Sequence, residues 1–317
     1  MAGRFHDVVI RSVVVIAPTL SDQDIESLSA TQDIINLGMM ADGVRRRLHG
    51  LQATFVRVVD VPVNGGEFSI PAAAREIRIV GTPSTRQAAL DRVREVAAAT
   101  RGIPLSGFSL ADLEHMAAVE GETLRSLLEA LCAAGLELVA DAPFDLLQDP
   151  RRSIEEVNIS GLALARLTIH RMSSPDASSL FKLVAQLQRR VGVIRTFAPL
   201  ARSVNPALPT TGYDDVKRVA LARLIIGNIA SIQVDWSLYG PKLAQVALTM
   251  GADDIDGVSP EDGASEGRRR APLEEIHRNV RAAGQEPLER NGRFEILEDL
   301  STAGHDPSPA SRGVARA

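Results

Sequence analysis

The stretch from Ala222 to Gly257, ARLIIGNIASIQVDWSLYGPKLAQVALTMGADDIDG, constrains the fold of this chain more than any other. It reads as the end of a helix, then a buried strand at Ile232–Val234 around Gln233. A helix follows from about Gly240 to Thr249, and then a short acidic strand end at Asp253, Asp254 and Asp256. A βα step followed by a further strand is the grammar of an α/β barrel. Such barrels carry their chemistry on polar residues just past the strand ends. Gln233, Asp235, Trp236 and the GADDIDG turn are therefore the first candidates for binding a ligand.

The remaining residues extend that pattern in both directions. Residues 8–17 are rich in Val and Ile and read as a strand, and Ser21 to His49 as two helices with Ser21 as an N-cap. Asn64, Gly65 and Gly66 mark a tight turn before a strand at 77–81, and Thr85 to Thr100 is an amphipathic helix. LARLTIH is a strand that ends at His170, and a Pro-bearing loop around Asn205 precedes the helix that enters the opening stretch. Beyond it lie a polar connector, SPEDGASEGRRRAP, a helix in PLEEIHRNVRAAG, a strand-like RFEIL and a small, polar tail. The expected division is a lead-in strand and helices over 1–50, a (β/α) barrel with a C-terminal helical cap over 51–300, and a disordered tail over 301–317. At 317 residues there is room for a barrel of roughly 250 residues with extensions.

Charge and cysteine content exclude several function classes. A net charge of −5 offers no basic footprint for nucleic acid. No run reaches the ~20 apolar residues of a membrane span, and the N-terminal run lacks a convincing signal-peptide pattern, so the expected location is the cytoplasm. Cys132 is the one cysteine, in the apolar LLEALCAAG, which rules out an internal disulfide framework and a cluster held by this chain's own thiolates. The six histidines are scattered, with no pair at metal-ligand spacing, and no metal site is expected.

Several words of the sequence resemble the aminofutalosine synthase branch of the radical S-adenosylmethionine superfamily, from the futalosine route to menaquinone. LGMMADGVRRRLHG and ATFVRVVDV resemble the lead-in to that family's first barrel strand, and PLSGFS a later strand ending in a Phe-Ser pair. TFAPLARSVN, which includes Asn205, PTTGYDDVKRVALARL and the opening stretch continue the likeness. It spans about 36–297 and is most specific over 160–257. The resemblance implies a TIM-type (β/α) barrel of the radical S-adenosylmethionine kind. It also implies a CxxxCxxC loop after the first strand, holding an iron–sulfur cluster. Here that strand runs into VPVNGGEFSIPAAAREIRIVG, which has no cysteine and is too short for the loop and helix, so the first βα unit reads as degenerate. ADAPFDLL stands where the family has a glycine-rich, Glu-bearing loop.

Each candidate residue has a plain reading beside the functional one. Asp253, Asp254 and Asp256 could grip a metal or a ribose, or form a solvated, capping turn. Trp236 more often packs than stacks a ligand, His170 is a general acid or base or a satisfied structural histidine, and Asn205 a ligand contact or loop architecture. Two functions follow. The first is a cluster-less homologue acting as an accessory or ligand-binding protein in menaquinone biosynthesis. Its ligand would be nucleoside-like or chorismate-derived, or S-adenosylmethionine bound without cleavage, and its partner a cysteine-bearing paralogue or another enzyme of the pathway. The alternative is a cluster-free barrel enzyme, a lyase or hydrolase with Asp254 or His170 as acid or base.

Overall fold

The computed structural model describes residues 20–174, 176–261 and 272–297. The strand expected at 8–17, most of the connector and the tail from 301 lie outside them. Two helices, α1 (Asp22–Ala30) and α2 (Ile34–His49), lead in. Ser21 starts α1 with a capping box, its hydroxyl accepting from the Asp24 N–H while the Asp24 carboxylate accepts from the Ser21 N–H. There follow β1 (Gln52–Pro62), β2 (Glu76–Val80), α3 (Arg86–Ala97), β3 (Leu105–Ser109), α4 (Leu110–Glu120), α5 (Leu124–Ala134), β4 (Leu138–Pro143) and α6 (Pro150–Ile159). The chain continues through β5 (Ala163–Leu164), β6 (Leu167–Ile169), α7 (Ser178–Val191), β7 (Thr196–Ala201), α8 (Gly212–Ile225), β8 (Ser231–Asp235), α9 (Trp236–Tyr239) and α10 (Pro241–Thr249). It ends with β9 (Asp254–Val258), α11 (Leu273–Ala282) and β10 (Glu286–Glu289).

Eight parallel strands close into a barrel in the order β1, β2, β3, β4, β6, β7, β8, β9, with β9 pairing back onto β1. The expected TIM-type fold is therefore present. Its outer wall follows from strand alternation: Ile232, Val234 and Ile255 turn apolar side chains toward the surrounding helices, while Gln233, Asp235, Asp254 and Asp256 turn inward.

The first βα unit is degenerate, as the short β1–β2 interval suggests. Val63 to Arg75 joins two adjacent parallel strands without a helix. In place of the helix, Phe68 and Ile70 pack against the core, and buried Arg92 from α3 ties the segment down. Its guanidinium donates to the carbonyls of Pro62 (2.9 Å) and Gly66 (3.3 Å) and lies 5.1 Å from the Phe68 ring centre.

Two sequence readings change at the C-terminal side. RFEIL is not the last strand; β10 is EPLE at 286–289, which pairs with Gln52–Phe55 at the N-terminal end of β1. The chain turns back at Phe294, whose φ is +65°, leaving Ile296 bridged to Arg290. The acidic group of GADDIDG also begins strand β9 instead of ending it, because Asp254 already pairs with Gln233 and Thr54.

Candidate ligand site at the barrel mouth

The barrel interior is layered by charge, from an occupied floor to an open mouth. At the floor, fully buried Asp254 accepts two hydrogen bonds from Arg290 (2.6 Å each), one from Gln233 Nε2 (2.6 Å) and one from Thr54 Oγ1 (2.5 Å). Arg290 arrives from just after β10 and stacks on Phe294 at 3.9 Å from the ring centre. A bidentate guanidinium–carboxylate pair with its remaining lone pairs satisfied is the arrangement that makes a buried ion pair tolerable.

One layer up, Asp256 is gripped by two arginines. Arg78 donates to both its oxygens (3.1 and 2.9 Å), and Arg166 donates to Oδ2. Arg78 also donates twice to Glu76, which accepts from Ser106 Oγ (2.6 Å). Burial by itself would raise the Asp256 carboxyl; Arg166 and Arg78 outweigh it and hold the group well below the usual carboxylate range.

Above this layer a cavity of about 220 Å³ opens at the C-terminal mouth. Arg78, Arg166, Arg202, Asp60, Asp112, Asp141 and Asp235 supply its charged lining, with Ser109, Ser237 and Thr82 adding hydroxyls. The volume is below the ~300–1,000 Å³ of a drug-sized site, so it suits a small polar ligand. Two backbone features shape it. Gly257 has φ +68°, and a Cβ there would come within 2.9 Å of Asp235 Oδ1, so only glycine leaves this wall open. Phe108, buried and lining the cavity, holds φ +63° within β3; such strain in a non-glycine residue concentrates at functional sites.

The residues singled out in the sequence separate by height and face. Asp256 lies beneath the cavity, paired to two of its arginines, and Asp235 lines the cavity itself. Asp235 also caps α9, accepting from the Leu238 N–H and Ser237 Oγ at 2.9 Å each. Gln233 and Asp254 belong to the floor. Asp253 points out of the barrel, where it pairs with Arg223 and accepts from the Ile232 N–H (2.8 Å). Trp236 is fully buried, and its indole Nε1 has no hydrogen-bond partner. Asn205 serves loop architecture, donating to the Met172 carbonyl and accepting from the Ala207 N–H. His170 follows β6, sits beside Ser203 (3.2 Å) and is not among the residues that line the cavity. An acid or base role for Asp254 is poorly served by this geometry, since both oxygens are taken and the residue faces the closed end.

Sequence reasoning missed Asp60, Arg78, Asp141, Arg166 and Arg202. A signal was available: each is a charge in or beside an apolar strand, as in VRVVDV, EIRIV and LVADAP. A charge at an inward position of a barrel strand needs a partner or a ligand.

An iron–sulfur cluster of the kind that the family resemblance implies does not fit the residues present. The β1–β2 segment has no cysteine, and Cys132 lies on α5 near Gly161 in the outer layer. Among the described residues, no three His, Cys, Asp or Glu side chains converge as metal ligands.

Comparison with known proteins agrees with the sequence resemblance. Residues 199–303 match the family model of the CofH/MqnC C-terminal region. The chain is 27% identical over 236 residues to the aminodeoxyfutalosine synthase of Thermus thermophilus, covering 65% of this chain and 63% of that protein. It is also 27% identical over 239 residues to a 5-amino-6-(D-ribitylamino)uracil–L-tyrosine 4-hydroxyphenyl transferase of Archaeoglobus fulgidus, over 66% of this chain and 68% of the relative. Among solved structures, methylornithine synthase (PylB) superposes with a TM-score of 0.63 at 12% identity, over 86% of this chain and 96% of that one. The hydrogenase maturase HydG gives 0.59 at 11% identity, over 86% and 72%. The chain spans somewhat less than two thirds of the Thermus relative's length. By these matches the chain is similar to the aminofutalosine synthases, its residues 199–303 match the CofH/MqnC C-terminal region, and its TIM-type barrel is the fold it shares with these structural neighbours.

Proposed function

We propose that this chain is a cluster-less homologue of aminofutalosine synthase that acts as an accessory or ligand-binding protein in menaquinone biosynthesis. The observation that carries the reading is the pairing of a polar, open barrel mouth with a β1–β2 segment that has no thiolate to offer. A chain selected for radical cleavage of S-adenosylmethionine needs three thiolates on one iron–sulfur cluster; a chain selected to bind needs only the cavity. The ligand is a small, polar molecule of the nucleoside-like or chorismate-derived kind. Its hydroxyl or amino groups would meet Asp60, Asp141 and Asp235, and its acidic groups the arginines. The natural setting is a complex with a cysteine-bearing paralogue or another enzyme of the same pathway.

Ligand-induced stabilisation tests this directly. A ligand that binds only the folded state at a hundred times its Kd adds about 2.7 kcal/mol, a rise of roughly 5 °C in melting temperature for a chain of this size. Futalosine-pathway intermediates and S-adenosylmethionine are the compounds to screen, and at least one is expected to give such a rise. A melting temperature that none of them moves, with no pathway enzyme co-purifying from the native host, would remove the proposal.

A further inference from the structure

At the floor end of the barrel, strands β7 and β8 begin with two hydroxyls that the fold leaves unbonded. Phe197 points outward onto Phe181 of α7, with ring centres 5.8 Å apart, so its neighbour Thr196 faces the interior. Ser231 is the register partner of Thr196 and stands two residues before the inward Gln233, which puts it on the same face. Thr196 is 0% exposed and Ser231 9%, and neither hydroxyl has a hydrogen-bond partner among the described residues. A buried hydroxyl without a partner costs the full desolvation of that group, so two of them on adjacent strands call for a third body between them.

The charge beside these hydroxyls is positive. Arg195 immediately precedes Thr196, and its carbonyl accepts from the Ser231 N–H (3.1 Å). Its guanidinium gives Nη1 to the Arg293 carbonyl (3.2 Å) and lies 5.1 Å from the centre of the Phe294 ring, the ring on which Arg290 also stacks. Arg290 is paired with Asp254 and Arg293 with Glu137, whereas Arg195 forms no ion pair among the described residues. Burial, then the charge of Arg290, push the Arg195 guanidinium below the ordinary arginine range, and Glu295 pulls the other way. The floor therefore combines two unbonded hydroxyls with a guanidinium that lacks a matching negative charge.

We propose that Thr196 and Ser231, with Arg195 beside them, bind one small monovalent inorganic anion, a halide, inside the floor of the barrel. The site lies at the opposite end from the mouth and is independent of what the mouth binds. An ion that only accepts suits two hydroxyls that can both turn their protons toward it. Register neighbours on strands about 4.8 Å apart leave room for a single atom between them and not for a carboxylate or a phosphate. A water molecule would satisfy the hydroxyls but leave the charge of Arg195 unmatched. Arg195 is exposed at the floor, so the ion enters there without crossing the barrel.

Melting of the full chain in sodium chloride, sodium bromide and sodium gluconate at equal ionic strength reads this out. Chloride and bromide, at ten times their Kd, are expected to raise the melting temperature by about 3 °C over gluconate, whose anion is too large for the site. Thr196→Val and Ser231→Ala are each expected to lose that difference, and Arg195→Gln to weaken it severalfold. The comparison is made between salts within each variant, so a general salt effect or a change in basal stability does not imitate the result. A wild-type melting temperature that is the same in all three salts, or a chloride effect that persists whole in Thr196→Val, would overturn the site. Crystals grown in bromide give a second reading: an anomalous peak between the two hydroxyls is expected. Density there without an anomalous signal would assign the hydroxyls to a water and remove the anion.

Discussion

Asp256 is the residue on which the interior depends most. It is fully buried and has two arginine partners, 178 and 90 residues away in sequence. Asp256→Asn keeps the shape but leaves Arg78 and Arg166 short of one negative charge. Breaking a buried pair in this way costs about 3–5 kcal/mol, a large part of the ~5–15 kcal/mol stability of a typical domain. Urea unfolding at neutral pH is expected to show that loss. The same residue sets an acid limit. Its carboxyl is held below the usual range in the fold, so its contribution is complete above the unfolded carboxyl pKa of about 4 and is lost as the pH falls toward the folded value. Wild-type stability should therefore drop more steeply below about pH 4 than that of Asp256→Asn. Parallel pH profiles for the two proteins would assign the effect elsewhere.

What was legible in the sequence at this scale was the kind of residue and not its partner. Alternation in DIDGV and SIQVD already marks Asp254, Asp256, Gln233 and Asp235 as sharing the inward face. Which of them reaches the mouth depends on the register of β9 against β8 and β1. Because the acidic group begins β9 and does not end it, Asp254 lies at the floor and Asp256 one layer above it. Arg78 and Arg166 gave a weaker signal, because a lone arginine among apolar residues also reads as a snorkelling wall residue.

At the scale of elements, β10 and the turn after it form a floor. β10 lies on the same edge of β1 as β2, pairing with its N-terminal half as β2 pairs with its C-terminal half. The chain then inserts Arg290 under the barrel and is tied outside by Arg293 to Glu137 (2.6 and 2.9 Å) and by Arg57 to Glu289 (2.5 and 3.1 Å). Arg290→Met is expected to cost about 3–5 kcal/mol, because Asp254 would remain buried with only Gln233 and Thr54. Adding Asp254→Asn should recover part of that loss, since the uncompensated charge goes too. The coupling energy from a double-mutant cycle in urea reads this out, and a cycle that closes additively would show that the floor pair is not energetically linked. Periodicity alone could find the helix α11 but not this floor. EPLE is short and carries two charges, and RFEIL looks more strand-like than the segment that pairs.

For the whole molecule, the barrel was legible because helix and strand periods alternate from β2 onward, whereas the β1–β2 connection could be recognised only by what it lacks. The structure supplies the physical reason that such a connection is tolerated. A βα unit normally covers its strands with a helix; here Phe68 and Ile70 cover that part of the wall, and Arg92 satisfies carbonyls that a helix would otherwise bond internally. The segment is thus a built piece of wall with no side chain suited to soft metal binding. Cys132, on α5, is the only thiol in the chain. Anaerobic reconstitution with iron and sulfide is therefore expected to leave fewer than one iron per chain and no broad visible absorbance, and Cys132→Ser should behave identically. About four irons per chain, lost in Cys132→Ser, would mean that chains pool their single thiols across an oligomer, and the accessory reading would give way to a shared cluster.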